Sequence, residues 1–202
     1  MQQTQPDSTK YLDSGQLAAP GTRVFESELD SQQLEIVYTQ APPAISASFA
    51  IAVLLAFGLW SLVGHTLLLV WLGMQTLQTL ARLWLVHRYR CASPEDRKHP
   101  RWSIMFLAGA LVSGVVWGCV GLFFQFSWPV VYQTLVIMSL AGVLAGAISS
   151  YAAMLSVYFA FMVPAMLIPA QSMLLHSSSI SNNLGLLLML FAGVLVMLAR
   201  NY

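Results

Sequence analysis

Two long stretches of this chain carry no Asp, Glu, Lys or Arg: Ile36 to Ala81, and Ser103 to Ala199. Within them the apolar positions neither alternate in twos nor keep to one narrow helical stripe. They run on in blocks separated by short polar breaks, "GH" at 64–65, "QFSWP" at 125–129, "SSY" at 149–151 and "HSSSIS" at 176–181. Six apolar segments result, about 44–63, 66–87, 103–124, 130–149, 153–174 and 181–200. Most are near the ~20 residues that an α-helix needs to cross a ~30 Å hydrocarbon core. The division between the fourth and fifth is the weakest, because only small polar residues separate them. Before Leu184, "SNN" at 181–183 supplies side chains suited to an N-cap.

The start of the chain reads differently. Residues 1–23 are rich in Gln, Ser, Pro and Gly and read as a disordered cytoplasmic tail. From 24 to 40, Phe25, Leu29, Leu34 and Val37 recur near helical spacing among acidic residues. This predicts a short amphipathic helix lying on the membrane surface, with a dimerising stalk as the alternative. "APP" at 41–43 is expected to break the chain there, since proline disfavours helix in the residue before it. The first 35 residues hold no apolar core of the kind a cleavable signal needs.

Composition strengthens the membrane reading. The chain is 57% hydrophobic and 8% charged, with a mean hydropathy of +0.69; globular domains carry roughly 25% charged residues. The predicted fold class is all-α, a polytopic bundle of about six transmembrane helices spanning 44–202. With six crossings, the N-terminus, the 88–102 loop, the 149–151 turn and the C-terminus share one side, and that side holds every Lys and Arg. The positive-inside rule then puts both termini in the cytoplasm. Arg82, Arg88, Arg90, Arg97, Lys98 and Arg101 thus act first as topology determinants that also attract anionic lipid headgroups. A net charge of +1 and few aromatics in the basic loop give no support to a nucleic-acid partner.

Candidate chemistry is sparse. His87, Cys91 and His99 lie among cations and lack the regular spacing of a zinc site. His65 and His176, near Met74 and Met173, are better read as residues of outer turns than as soft-metal ligands. Cys91 and Cys119 read as free thiols. No carboxylate falls in the six segments, so the usual carriers of proton relay, ion coupling and general acid–base catalysis are missing. No metal, cofactor or enzymatic role is expected. Arg82, one to two turns from the end of its segment, is read as snorkelling to the interface.

Two features suggest packing and motion. "GALVSGVVWGCVG" places Gly109, Ser113, Gly114, Gly118 and Gly121 around Trp117, and "AGVLAGAISS" places Gly142 and Gly146 at i, i+4. Such strips let membrane helices approach closely, within one chain or across a homodimer. "FMVPAMLIPAQ" holds Pro164 and Pro169, each of which removes a helix donor and suits a hinge or a cavity wall.

Taken together, "RLWLVHRYR", "RWSIMFLAGALVSGVVWG" and "AGVLAGAISSYAAMLSVYFAFMVPAMLIPA" resemble the N-terminal six-helix input modules of bacterial signalling proteins. Those modules precede diguanylate cyclase, cyclic-di-GMP phosphodiesterase, PAS or histidine-kinase domains, and the likeness covers about residues 29–202. The resemblance implies a sensor in a bacterial inner membrane, relaying a ligand or bilayer signal to a cytoplasmic output domain, in cis or in trans. Residues 1–202 themselves hold no GGDEF-type loop, EAL-type motif, phosphorylatable-His box or P-loop. Pro164 and Pro169 are the expected hinge, and Gly114, Trp117, Gly118, Gly142 and Gly146 the expected sliding contact. The competing expectations are a small transporter or channel component for a neutral or lipophilic solute, and a passive membrane anchor.

Overall fold

A computed structural model of the protein describes residues 20–123, 127–151 and 153–175, with single helical positions at 190, 193, 194 and 197; side chains are described from 32 to 171. Every regular element among the described residues is helical: α1 (Pro20–Gly58), α2 (His65–Cys91), α3 (Pro94–Arg97), α4 (Arg101–Gly118), α5 (Val120–Phe123), α6 (Val130–Tyr151) and α7 (Leu155–Leu175). The expected segment at 181–200 lies, apart from those single positions, outside the described residues.

Among the described residues, three stretches are long and apolar enough to cross a membrane, Gln32–Gly58, Arg101–Phe123 and Val130–Tyr151. Their distribution of exposure is that of a membrane protein. Leu54, Phe57, Leu77, Val130, Val131 and Met138 are each about 70% exposed, whereas Gln75, Thr79, Arg82, Ser113 and Ser150 are buried. Water would reverse that arrangement; hydrocarbon favours it, because the packing inside must satisfy the polar groups.

The five long helices close into a ring. α1 packs against α2 and α6, α2 against α4, α4 against α7, and α7 against α6. Each turns a regular strip inward. On α2 it is Leu68, Trp71, Gln75, Thr79, Arg82, Val86 and Tyr89, spaced three and four residues apart. Side-chain hydrogen bonds tie the ring across helices. Trp71 Nε1 donates to the Val116 carbonyl at 2.8 Å, Trp117 Nε1 to Ser48 Oγ at 2.9 Å, and Tyr38 Oη to the Trp102 carbonyl at 3.0 Å.

The expected break at 41–43 is absent. α1 begins at Pro20, inside the stretch read as a tail, and runs through Pro42 and Pro43 to Gly58. The 24–40 segment is therefore the first part of one 39-residue helix and not a separate interfacial helix. An internal proline removes a donor and strains the preceding turn, but that cost is local. Here Val37, Tyr38, Ala41 and Ile45 form one buried face on either side of the pair, and Tyr38 stacks on Tyr89 with ring centroids 3.8 Å apart. Packing on both sides of the prolines holds the axis that they would otherwise break.

Candidate functional site

The inward strip of α2 becomes polar at its middle. Gln75, Gln78, Thr79 and Arg82 fall at i, i+3, i+4 and i+7, so they share a face. Gln78 Nε2 donates to Gln75 Oε1 at 2.9 Å, while Gln75 Nε2 and Gln78 Oε1 are buried and find no partner among the described residues. One turn further on, Arg82 is 6% exposed. Its Nη2 donates to the Tyr151 hydroxyl at 2.6 Å. The guanidinium carbon lies 5.3 Å from the Phe106 ring centroid and 5.4 Å from that of Tyr151. Gly109 lies against the stem, where a Cβ would sit in ordinary contact 3.5 Å from Arg82 Cγ.

This corrects the snorkelling expectation for Arg82. Its position on the helix commits it to the ring interior, four residues before buried Val86 and three after buried Thr79. Two aromatic faces and a phenol oxygen partly replace water there.

Beside the guanidinium is a partly open cavity of about 70 Å³, to which all five long helices contribute. Ser48, Gln78, Arg82, Ser113 and Tyr151 supply its polar lining, and Ala44, Ile51, Val143 and Phe161 are among its apolar residues. Gly142 and Gly146 line it too, and a Cβ at either would meet nothing within 4 Å. Both glycines are exposed, so the open space beside them is at the surface of the bundle, at the edge of the cavity. Among the described residues they form no helix-packing seam, contrary to the expected sliding contact.

The other glycine strip does form one. A Cβ at Gly114 would overlap the Phe161 carbonyl oxygen and lie 2.7 Å from Pro164 Cγ. At Gly118 it would lie 2.5 Å from the Pro164 carbonyl oxygen and 2.8 Å from Ile168 Cδ1; at Gly121 it would overlap Pro169 Cα. The structure therefore brings Gly114, Gly118, Pro164 and Pro169 to one face-to-face contact between α4–α5 and α7. Both prolines stand inside a continuous α7. Trp117 faces the other way, toward Ser48 on α1.

The basic loop is ordered by its own arginines. Ser93 caps α3 by accepting from the Asp96 amide at 3.3 Å. Arg97 donates to the Arg90 and Ala92 carbonyls at the end of α2 and lies over the Tyr89 ring. Arg101 pairs with both Asp96 oxygens, and Arg88 covers Trp84. Arg90 and Lys98 are exposed. The histidines are absorbed locally: His99 Nδ1 accepts from the Arg101 amide at 3.3 Å, His87 Nε2 is 3.7 Å from Cys91 Sγ, and His65 stacks on Trp60. His176 lies outside the described residues. Burial raises the pKa of the Tyr89 phenol above its ordinary value; Glu35 adds to the effect and Arg97 opposes it.

Tyr151, Ser48, Ser113 and Gln78 were not singled out as site residues by sequence. A signal for the site was present in the polar i, i+3, i+4, i+7 strip of α2, which points into a bundle when the surroundings are lipid. No protein-family model, curated protein or solved structure matches this chain.

Proposed function

We propose that this chain is a membrane-embedded sensory input module, and that the ring cavity beside Arg82 is where its stimulus is read. The observation that carries this reading is the burial of Arg82 against a cavity with Tyr151 as its hydrogen-bond acceptor. A cation in the interior of a membrane bundle is expensive and persists mainly where function needs it. A passive anchor has no use for it.

The mechanism is a population shift. A ligand in the cavity touches α1, α2, α4, α6 and α7 at once, and so favours one arrangement of the ring over another. The close backbone contact of Gly114, Gly118 and Gly121 with the proline-bearing α7 is where the arrangements differ, with Pro164 and Pro169 as the hinge. In this reading the bundle has six spans: α2 over 66–87 and α7 join the three strongly apolar stretches, and 181–200 is the sixth. The basic 88–102 loop and both termini face the cytoplasm of a bacterium, where an output domain in cis or in trans receives the signal. A homodimer would be the signalling unit.

The test is a fusion of a reporter output domain after Tyr202. Changing both Pro164 and Pro169 to Ala is expected to alter the output; an unaltered response defeats the hinge. Reconstitution into vesicles addresses the competing transporter reading, which requires solute flux without any output domain.

A further inference from the structure

We infer that the Arg82 cavity binds a carboxylate monoanion. A guanidinium has five N–H donors. Among the described residues, Arg82 gives one of them to Tyr151 and none to a carboxylate, and the single ion pair is Arg101 with Asp96. The sequence has no Asp or Glu after Asp96, so no acidic side chain from α4 onward can serve as a counter-ion. On α1 the nearest acid to Tyr38 is Glu35, which is exposed and lies beside Tyr89. A buried cation without a counter-ion is costly to keep, and a bound anion removes that cost.

Two hydroxyl groups also line the cavity, on Ser48 and Ser113. Ser48 Oγ accepts from Trp117 Nε1. Unlike Thr39, Thr76, Thr134 and Ser139, it makes no bond back to the carbonyl four residues before it. Its own hydrogen is free to point into the cavity. Ser113 lines the same cavity and is 2% exposed. Three donor side chains from α1, α2 and α4 therefore converge on one small space.

Charge and shape select among anions. One cation balances one negative charge, which suits a carboxylate better than a dianionic phosphate. The guanidinium fork matches the two carboxylate oxygens. The remaining wall, from Ala44 through Ile51 to Val143, is apolar and accepts a methyl group or the start of an alkyl chain. The source of the carboxylate is a water-soluble acid or a fatty acid dissolved in the bilayer.

This inference rests on the reading of the cavity as the sensing site, but it is tested on the chain alone. Thermal unfolding in a nonionic maltoside, followed by tryptophan fluorescence, is measured in sodium acetate or sodium octanoate against sodium chloride at equal ionic strength. A saturable rise of the midpoint is expected with a carboxylate. Ala44→Leu, which enlarges a half-buried side chain of the cavity lining, should abolish the rise, as should Arg82→Gln. Ser113→Ala should weaken apparent affinity about tenfold. Protection by acetate and octanoate alike identifies a soluble acid, and protection by octanoate alone identifies an amphiphile from the bilayer. The proposal is overturned if neither salt shifts the wild-type midpoint, or if the shift survives Ala44→Leu. Should Arg82→Gln fail to fold, Ala44→Leu decides by itself. Loss of reporter output with carboxylate binding intact would sink only the signalling reading.

Discussion

Arg82 on α2 and Tyr151 at the end of α6 meet across the ring at 2.6 Å, although 69 residues separate them in the chain. The bond joins two helices that are not neighbours in the ring, and it fixes where the buried cation stands relative to the cavity. It also stacks two costs, a desolvated charge and an immobilised long side chain, on one position.

If that cost is kept for ligand binding, removing the charge should not weaken the fold. Arg82→Met preserves length and apolar contact with Phe106, and its thermal midpoint should match or exceed wild type. Tyr151→Phe leaves the cation with its described acceptor gone and should destabilise by about 1–3 kcal/mol. Thermal or denaturant unfolding of the two variants side by side checks the order. A large loss in Arg82→Met would assign Arg82 a purely structural role.

Glycines that look alike in sequence should respond in opposite ways to the same change. Gly114→Ala and Gly118→Ala push a methyl group into α7 backbone, which cannot move aside as a side chain would, and should cost about 2 kcal/mol or more. Gly142→Ala meets empty space and should gain up to about 1 kcal/mol from helix propensity. Unfolding midpoints of the three variants suffice, and a similar loss in all would contradict the assignment of Gly142 to a cavity wall.

The continuity of α1 predicts a stabilising substitution. Pro42→Ala and Pro43→Ala each restore a backbone donor within a helix that is already continuous, and each should raise stability by up to about 3 kcal/mol. Hydrogen exchange at the restored amides should show protection. Unprotected amides would mean that the helix is interrupted at this point.

Alkaline pH should destabilise the loop end of the bundle through Tyr89. Its folded pKa is raised above the unfolded value near 10. The associated stability is therefore complete below about pH 10 and is lost as pH rises through the folded value. Tyr89→Phe removes this contribution, so its stability should fall less steeply than wild type above pH 10. Identical alkaline slopes would show that Tyr89 does not titrate in this range.

Hydropathy and the polar breaks are legible without coordinates, because each depends on composition over about twenty residues. On that basis the sequence determined that this is a helical membrane protein, and it located α2, the α4–α5 stretch, α6 and α7 to within a few residues, whereas α1, expected from 44, begins at Pro20. It also picked out the glycine and proline positions that deserve attention.

What each of those positions touches was decided by tertiary structure. A small-residue strip serves equally well to admit another backbone or to lie bare at the surface; Gly114 and Gly118 do the first, Gly142 and Gly146 the second. A local rule for proline predicts a break at 41–43, but the packing of Tyr38 on Tyr89 and Trp102 is non-local and overrides it. An arginine near a helix end can reach outward or inward, and the rotation of α2 about its axis, set by Trp71, Gln75 and Val86 against their neighbours, turned Arg82 inward to Tyr151. Composition depends on each residue alone and contact on the pair, which is why the membrane was readable from the sequence and the buried cation's partner was not.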